Sequence, residues 1–358
     1  MPESGPKIDP PQHADDPIVI WGGGAIGGCM AAFLARAGLA VKMVDLVEEH
    51  VHVSRSQGLQ IEGPVAQFTQ KIDAYTPTEL SGQYSCILLA VKAQDTRVAL
   101  RQLSPHLSQD GVVVSLQNGL SEQWIASELG EGRTIAGFVN FAADYLEPGR
   151  IGYGNRGAIK LGEMRPGLTA RVEKLARLLQ AFDPDTQAVV DVRPYKWGKL
   201  AYGSLLFATA LANETMTQTL ADPEHRPLFV ALAREVIGIA ARVGVQPVGF
   251  DGFDPAAFET NGQITAAAHS LSCMAEHYRH STKQRSGVWR DLAVRKRKTE
   301  IDSQIGEIVR VAHAQRTSAP ITQILIRLIH DIEQGRRSID RSNLIEMAEA
   351  VEALPPIK

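Results

Sequence analysis

The sequence has 358 residues, of which 44% are hydrophobic and 22% are charged, which is typical of a globular protein with room for two domains. A formal net charge of −3 argues against nucleic acid or an anionic membrane surface as the main partner, and no apolar run approaches the ~18 residues of a membrane span. The three cysteines, Cys29, Cys86 and Cys273, lack metal-ligand spacing and favour a reducing, cytoplasmic compartment.

The first part of the chain alternates between strand-like and helix-like segments. Residues 1–16 are polar, include four prolines, and are predicted to be a disordered tail and not a signal peptide. Strands are then predicted at 18–21, 41–44, 86–91, 112–116, 134–141, 155–161 and 187–190, and helices at 25–37, 96–103 and 168–182. This alternation predicts an α/β domain over 17–190 with a doubly wound parallel sheet of the Rossmann type.

The character changes near residue 190, where strand signals stop. One long helix is predicted over 195–222, and further helices at 228–243, 255–275, 283–294, 300–314, 321–334 and 342–351. Residues 191–358 are therefore predicted to form an all-helical domain for substrate binding and dimerisation.

The most informative motif is Gly22-Gly23-Gly24-Ala25-Ile26-Gly27, which directly follows the first strand and opens the first helix. In this G-x-G-x-x-G pattern Gly22 permits a tight turn, Gly24 lets backbone approach a pyrophosphate, and Gly27 lets helix and strand pack closely. The N–H groups of Gly24, Ala25 and Ile26 would then bind the anion at the positive end of the helix. The pattern predicts a dinucleotide site.

Asp45 lies 18 residues after Gly27, at the end of the second predicted strand. A carboxylate there accepts hydrogen bonds from ribose hydroxyls and repels a 2′-phosphate, which favours NAD(H), with NADP(H) as the alternative. The other interpretation of Asp45 is a cap of the strand–loop junction. Arg55 is the nearest cation that could support NADP binding.

Polar residues follow two further strands, with Lys92 after 86–91 and Asn118 after 112–116. The carboxyl ends of parallel strands are where doubly wound folds bind ligands. On the long helix, Trp197-Gly198-Lys199-Leu200 places a lysine beside a tryptophan at the start of the second domain.

Together these segments resemble the ketopantoate reductase family of the 6-phosphogluconate-dehydrogenase-like group. The resemblance includes Ala90-Val91-Lys92, Gln117-Asn118-Gly119, Pro148-Gly149, Lys196-Trp197-Gly198-Lys199-Leu200, Thr299-Glu300-Ile301-Asp302 and Ala319-Pro320. It implies that Lys199 is the general acid and that Glu300 orders the nicotinamide ribose side. It also implies that Lys92, Asn118 and Ala142 contact the cofactor, with Asn118 close to Lys199, and that the protein is a homodimer with its substrate pocket between the domains.

Several positions depart from that family's pattern. Gly203 and Phe207 replace asparagines four and eight residues after the catalytic lysine, and Gly287 aligns with a substrate-binding serine. These changes predict a substrate that is bulkier or more apolar than ketopantoate. A shift of one residue in the alignment would instead give the serine role to Ser286, and Arg285 and Arg290 are further candidates for holding a substrate carboxylate.

Two segments near this region remain open to two interpretations. The aromatic, turn-rich segment 249–255 either roofs the substrate pocket or is peripheral, and Asp254-Pro255 predicts a helix start. The run Arg295-Lys296-Arg297-Lys298 is either a solvated loop or an attractor of anions. His277 and His280 are interpreted as surface or packing residues and not as a metal site.

The sequence thus predicts an NAD-dependent 2-keto acid reductase or 2-hydroxy acid dehydrogenase that acts on a small molecule. One alternative is an opine-type or other hydroxyacid dehydrogenase with a larger, partly aromatic substrate. A second alternative is a dinucleotide-binding protein that has lost catalysis.

Overall fold

The computed structural model describes residues 16–259, 262–281 and 283–354, and the chain divides into two compact units after Val192. The predicted tail, apart from Asp16, lies outside the described residues. Within the described ranges, no helix is long and apolar enough to cross a lipid bilayer.

The first unit contains a large and a small β-sheet. Its strands are β1 (Ile18–Trp21), β2 (Val41–Val44), β3 (Leu59–Glu62), β4 (Phe68–Gln70), β5 (Asp73–Tyr75), β6 (Tyr84–Leu89), β7 (Leu107–Ser115), β8 (Thr134–Val139), β9 (Ala142–Glu147), β10 (Arg150–Asn155), β11 (Ile159–Glu163) and β12 (Gln187–Ala188). Its helices are α1 (Ala25–Arg36), α2 (Glu48–Ser56), α3 (Thr96–Leu103), α4 (Ser121–Leu129) and α5 (Ala170–Leu179). The large sheet has the order β12–β11–β8–β7–β6–β1–β2–β5, and the small one β4–β3–β10–β9.

Strand β1 shows why this sheet is covered on both faces. All four of its residues are buried, and they form the continuous apolar run that is typical of a central parallel strand. Ile18 and Ile20 pack into the core cluster that contains α1 and α5, whereas Val19 and Trp21 pack into the cluster with α3. The predicted doubly wound Rossmann-type fold is thereby confirmed.

Two details of the predicted sheet are wrong. The sheet is mixed, because β8 and β11 run antiparallel. The segment 155–161 is not one strand: β10 ends at Asn155 in the small sheet and β11 begins at Ile159 in the large one. The chain crosses between them at Gly157, where a Cβ atom would lie 1.9 Å from the Asn140 carbonyl oxygen. The small sheet, β5, α2 and α4 were not predicted, because short or polar segments carry weak periodicity.

The described residues of the second unit form helices joined by loops, and their only β-structure is one isolated bridge between Phe250 and Phe253. Its helices are α6 (Arg193–Thr209), α7 (Met216–Ala221), α8 (Arg226–Arg242), α9 (Ile264–Arg279), α10 (Gly287–Trp289), α11 (Ile301–Ala314), α12 (Pro320–Glu333) and α13 (Ser342–Glu352). A 3₁₀ helix (Pro255–Phe258) precedes α9, and a π-helical turn (Arg290–Val294) extends α10.

Three helix predictions in this unit are wrong. The single helix over 195–222 is two helices, because Thr215 and Gln218 form a capping box that starts α7 afresh. The helix over 255–275 is a 3₁₀ turn followed by α9, although Asp254 does cap that turn by accepting a hydrogen bond from the Ala256 N–H at 3.1 Å. The helix over 283–294 begins only after Ser286, which is its N-cap.

Candidate active site

The glycine-rich turn between β1 and α1 is sterically tight at two positions. Gly22 has a φ of +105°, and a Cβ atom there would lie 2.6 Å from the Val91 amide nitrogen. A Cβ atom on Gly27 would lie 2.0 Å from the Gly22 carbonyl oxygen. Side chains are therefore excluded at both positions, because Gly22 packs against the loop that follows β6 and Gly27 packs against the turn itself.

Gly24, by contrast, borders open space. A Cβ atom on Gly24 would meet no heavy atom within 4 Å, and Gly24, Ala25 and Ile26 are all partly exposed. Gly24 is the N-cap of α1, no side chain of the described residues caps this helix end, and its first turn carries no acidic residue. The amide groups of the first turn and the helix dipole make this end fit the pyrophosphate of a dinucleotide.

Asp45 follows β2 and is partly exposed. Its Oδ1 atom accepts a hydrogen bond from the Val47 N–H at 2.9 Å, so the carboxylate also stabilises the loop that leads into α2. Arg55, the nearest candidate for binding a 2′-phosphate, instead forms an ion pair with Glu79 at 3.0 Å. Its guanidinium also lies 5.6 Å from the ring centre of Tyr75.

Lys92 and Asn118 follow the neighbouring parallel strands β6 and β7. Each of these strands ends a little earlier than predicted, at Leu89 and Ser115. Lys92 is half-buried before a short 3₁₀ helix, and Asn118 is exposed. The Gln117 side-chain amide donates hydrogen bonds to the Val91 carbonyl at 2.9 Å and to the Thr96 hydroxyl at 2.8 Å, and so ties the two loops together. Ala142, the other cofactor candidate of this unit, begins β9.

In the second unit, α6 presents Lys199 between buried neighbours. Trp197 is buried, and a Cβ atom on Gly198 would lie 2.0 Å from the Val248 carbonyl oxygen. Lys199 itself is half-buried. Burial, together with the nearby charge of Lys196, lowers the pKa of Lys199 from 10.5 to about 8, against the opposing charges of Glu300 and Asp251.

Glu300 directly precedes α11 and is held through its neighbour. Thr299 donates from its backbone N–H and from its hydroxyl to the same oxygen of Glu333, both at 2.7 Å. Because Glu333 lies on α12, this pair of hydrogen bonds fixes the turn that carries Glu300. The charge of Glu300 raises the pKa of Lys199, so the two predicted catalytic residues of this unit interact electrostatically.

The predicted substrate positions differ in their surroundings. A Cβ atom on Gly203 or on Gly287 would meet no heavy atom within 4 Å, whereas Phe207 is buried. Ser286 is also buried, and its hydroxyl accepts a hydrogen bond from the Trp289 N–H at 3.2 Å as a helix cap. Arg285 stacks on Trp289 with its guanidinium 4.1 Å from the ring centre. Arg290 is half-buried in the following π-helical turn.

The segment 249–255 packs against α6 and α9. The Phe250 and Tyr202 rings lie 4.8 Å apart, and a Cβ atom on Gly252 would lie 2.6 Å from the carbonyl carbon of Cys273. Asp251, in this segment, has a φ of +53° and contributes to the pKa of Lys199. The sequence did not identify Asp251, Tyr202 and Lys196 as neighbours of Lys199. The only signal was the turn-forming Gly-Phe-Asp-Gly pattern, which contains Asp251.

The cationic run 295–298 and the two histidines of α9 and its C-terminal end contact nearby carboxylates. In the cationic run, Arg295 and Arg297 bind Asp291 at 2.9 and 3.0 Å, and Lys296 and Lys298 are exposed. His280 contacts Glu276 at 2.9 Å, and His277 lies 4.0 Å from Asp251. In the part of the chain that the structure describes, no group of three or more His, Cys, Asp or Glu side chains could hold a metal ion.

Comparison with known proteins matches both units to one family. The profile described as "Ketopantoate reductase PanE/ApbA" matches residues 18–166, and that described as "Ketopantoate reductase PanE/ApbA C terminal" matches residues 191–333. A 2-dehydropantoate 2-reductase of Pyrococcus abyssi is 27% identical over 314 residues, which cover 87% of this chain and 96% of the relative. One from Mesorhizobium japonicum is 28% identical over 258 residues, covering 65% of this chain and 79% of the relative.

Solved structures share the fold along most of the chain. D-mandelate dehydrogenase with NADH and anilino(oxo)acetate gives a TM-score of 0.77 at 21% identity, covering 89% of this chain and 98% of the other. A PanE/ApbA family ketopantoate reductase from Ralstonia eutropha JMP134 gives 0.74 at 24% identity, with 89% and 99% covered.

Proposed function

The chain belongs to the ketopantoate reductase family, and from that premise we propose that it reduces a 2-keto acid bulkier than ketopantoate, with Lys199 as the proton donor. Its class is that of an NAD(P)-dependent oxidoreductase that acts on a CH–OH group. The proposal concerns the substrate, the preferred cofactor and the roles of individual residues.

The observation that carries the proposal is the half-buried Lys199, whose pKa lies near 8 beside Glu300 and Asp251. A bound nicotinamide supplies the hydride. The oxyanion that develops on the substrate needs a proton and a positive charge, and an ammonium group provides both. With a pKa near 8, Lys199 can donate a proton in reduction and accept one in oxidation without a large energetic penalty in either direction.

The size of the substrate is inferred from the surroundings of α6. Gly203 borders open space one helical turn after Lys199, so a larger substituent meets no side chain at this position. The half-buried Phe250 ring, which lies 4.8 Å from the buried Tyr202 ring, adds an aromatic group near the same turn. D-mandelate dehydrogenase binds anilino(oxo)acetate on the same fold, which is consistent with an aryl 2-oxo acid as substrate class.

For the cofactor, we propose NAD(H) over NADP(H). Asp45 at the end of β2 would repel a 2′-phosphate, and Arg55 is engaged by Glu79. Titration of the protein with NADH and NADPH tests this directly, and tighter binding of NADPH would contradict it.

The central test is a panel of 2-keto acids, including ketopantoate and aryl-substituted examples, assayed with wild type and with Lys199→Ala. We expect the variant to lose about 10²–10⁴-fold in turnover, the usual contribution of a positioned general acid. A near-wild-type rate would remove Lys199 from this role. Preferred turnover of ketopantoate would refute the bulkier substrate while leaving the lysine chemistry intact.

A further inference from the structure

His50 on α2 is fully buried and joins two loops that are distant in the sequence. Its Nε2 atom lies 2.8 Å from the carbonyl oxygen of Gly23, in the middle of the glycine-rich turn. Its Nδ1 atom accepts a hydrogen bond from the N–H of Gly149 at 2.9 Å. Gly149 lies in the turn between β9 and β10 and has a φ of +80°.

These two partners define the state of the imidazole. Nδ1 accepts from a backbone N–H and therefore carries no proton, so the proton of the neutral ring is on Nε2 and is donated to Gly23. Burial lowers the pKa of His50, against the opposing effects of the Asp45 carboxylate and the Gly23 carbonyl. The neutral ring with this tautomer is thus the form that the fold selects.

The contact with Gly23 controls the direction of the next amide. Gly23 precedes the N-cap of α1, so its carbonyl lies outside the helical hydrogen-bond ladder and needs another partner. In a trans peptide the C=O and N–H groups point in opposite directions. Holding the Gly23 carbonyl toward buried His50 therefore turns the Gly24 N–H away from the core, on the side where Gly24 borders open space.

We propose that His50 is a positioning residue for the dinucleotide, because it holds the Gly23 carbonyl and thereby aims the Gly24 N–H at the pyrophosphate. The inference rests on the proposed dinucleotide-binding function of the glycine-rich turn. His50 does not touch the cofactor; it acts through the backbone of the turn.

Two conservative substitutions separate its two hydrogen bonds. The side-chain amide of glutamine reaches the Nε2 position and can donate to Gly23, whereas the shorter asparagine reaches only the Nδ1 position and can accept from Gly149. His50→Leu removes both contacts. His52, an exposed residue on the same helix, supplies the matched control His52→Leu.

The experiment measures the dissociation constant for NADH, the melting temperature, and kcat at saturating NADH for wild type and all four variants. We expect His50→Asn and His50→Leu to bind NADH about tenfold more weakly, as for the loss of one hydrogen bond in an anion site, with kcat at saturation little changed. His50→Gln should retain most of the affinity, and His52→Leu all of it.

Equal NADH affinity of His50→Asn, His50→Gln and wild type would overturn the proposal, whatever the melting temperatures are. If His50→Leu does not fold, the comparison of asparagine with glutamine still decides, since each retains one of the two contacts. Wild-type protein that binds neither NADH nor NADPH would instead refute the proposed function, and the inference with it.

Discussion

The pKa of Lys199 leads to a quantitative prediction for the pH dependence of the reaction. Reduction needs the ammonium form, and with a pKa of about 8 that form makes up about 90% of the enzyme at pH 7 but only about 10% at pH 9. The reductive kcat/KM at saturating NADH should therefore fall about tenfold over this range. Oxidation of the hydroxy acid needs the neutral amine, so its rate should rise through the same pH.

The magnitude follows from the environment of one side chain. The lowering from 10.5 to about 8 corresponds to roughly 3 kcal/mol of preference for the neutral form, which burial and the charge of Lys196 supply. A lysine with an ordinary pKa would remain almost entirely protonated at pH 9, and the reductive rate would be flat.

The assay is initial-rate kinetics in both directions between about pH 6 and pH 10, a range in which the carboxylate of a 2-keto acid does not titrate. Lys174→Gln, at an exposed position in the first unit, is the control and should leave the profile unchanged. A reductive rate that is constant up to pH 10 would refute the assignment of Lys199 as the titrating acid. So would a midpoint that persists in Lys199→Ala.

Three further results are expected. Asp251→Asn should move the midpoint of the profile to lower pH and Lys196→Gln should move it to higher pH, because they remove charges of opposite sign near Lys199; shifts in the same direction would contradict this electrostatic account. Gly24→Ala should keep the wild-type melting temperature but bind NADH at least about tenfold more weakly, whereas Gly27→Ala should lose stability because its Cβ atom meets backbone. Thermal melts and NADH titration distinguish the two variants. Equal behaviour of both variants would contradict the different roles of the two glycines. Glu235→Gln should reduce the free energy of unfolding by about 1–3 kcal/mol, because the buried carboxylate accepts hydrogen bonds from the Ile321 and Thr322 N–H groups at the start of α12. An unchanged midpoint of urea denaturation would refute that role.

The fold was predictable where the signal is local. The apolar run of β1, the glycines that follow it and Asp45 after β2 lie within one βαβ unit. They could be predicted because the geometry of this unit depends on residues that are close together in the sequence. The small sheet was not predictable, because its short strands are stabilised by pairing between distant segments, such as β3 with β10. The break in the long helix was missed because the capping box at Thr215 outweighs an uninterrupted helical pattern.

In the candidate site too, local motifs could be predicted from the sequence, whereas contacts between distant segments could not. Lys199 and Glu300 are recognisable from their motifs, and their roles stay predictions until the kinetic tests are made. The electrostatic environment of Lys199 could not be predicted from the sequence, since the charge of Asp251 acts on it from a loop about fifty residues away in the chain. For Ser286 the structure adds a role that the sequence did not indicate, since its hydroxyl caps a helix, and its contact with the substrate stays a prediction.

By itself, the sequence determined that a strand, a glycine turn and a helix follow one another, because steric limits on a few consecutive residues suffice for that. Tertiary structure alone decided which buried group supports the turn and how acidic the lysine is. His50 meets an N–H that lies 99 residues away, and Lys199 acquires its pKa from burial and from charges on other segments. Desolvation and electrostatic interaction depend on distances in space, and these exist only once the chain has folded.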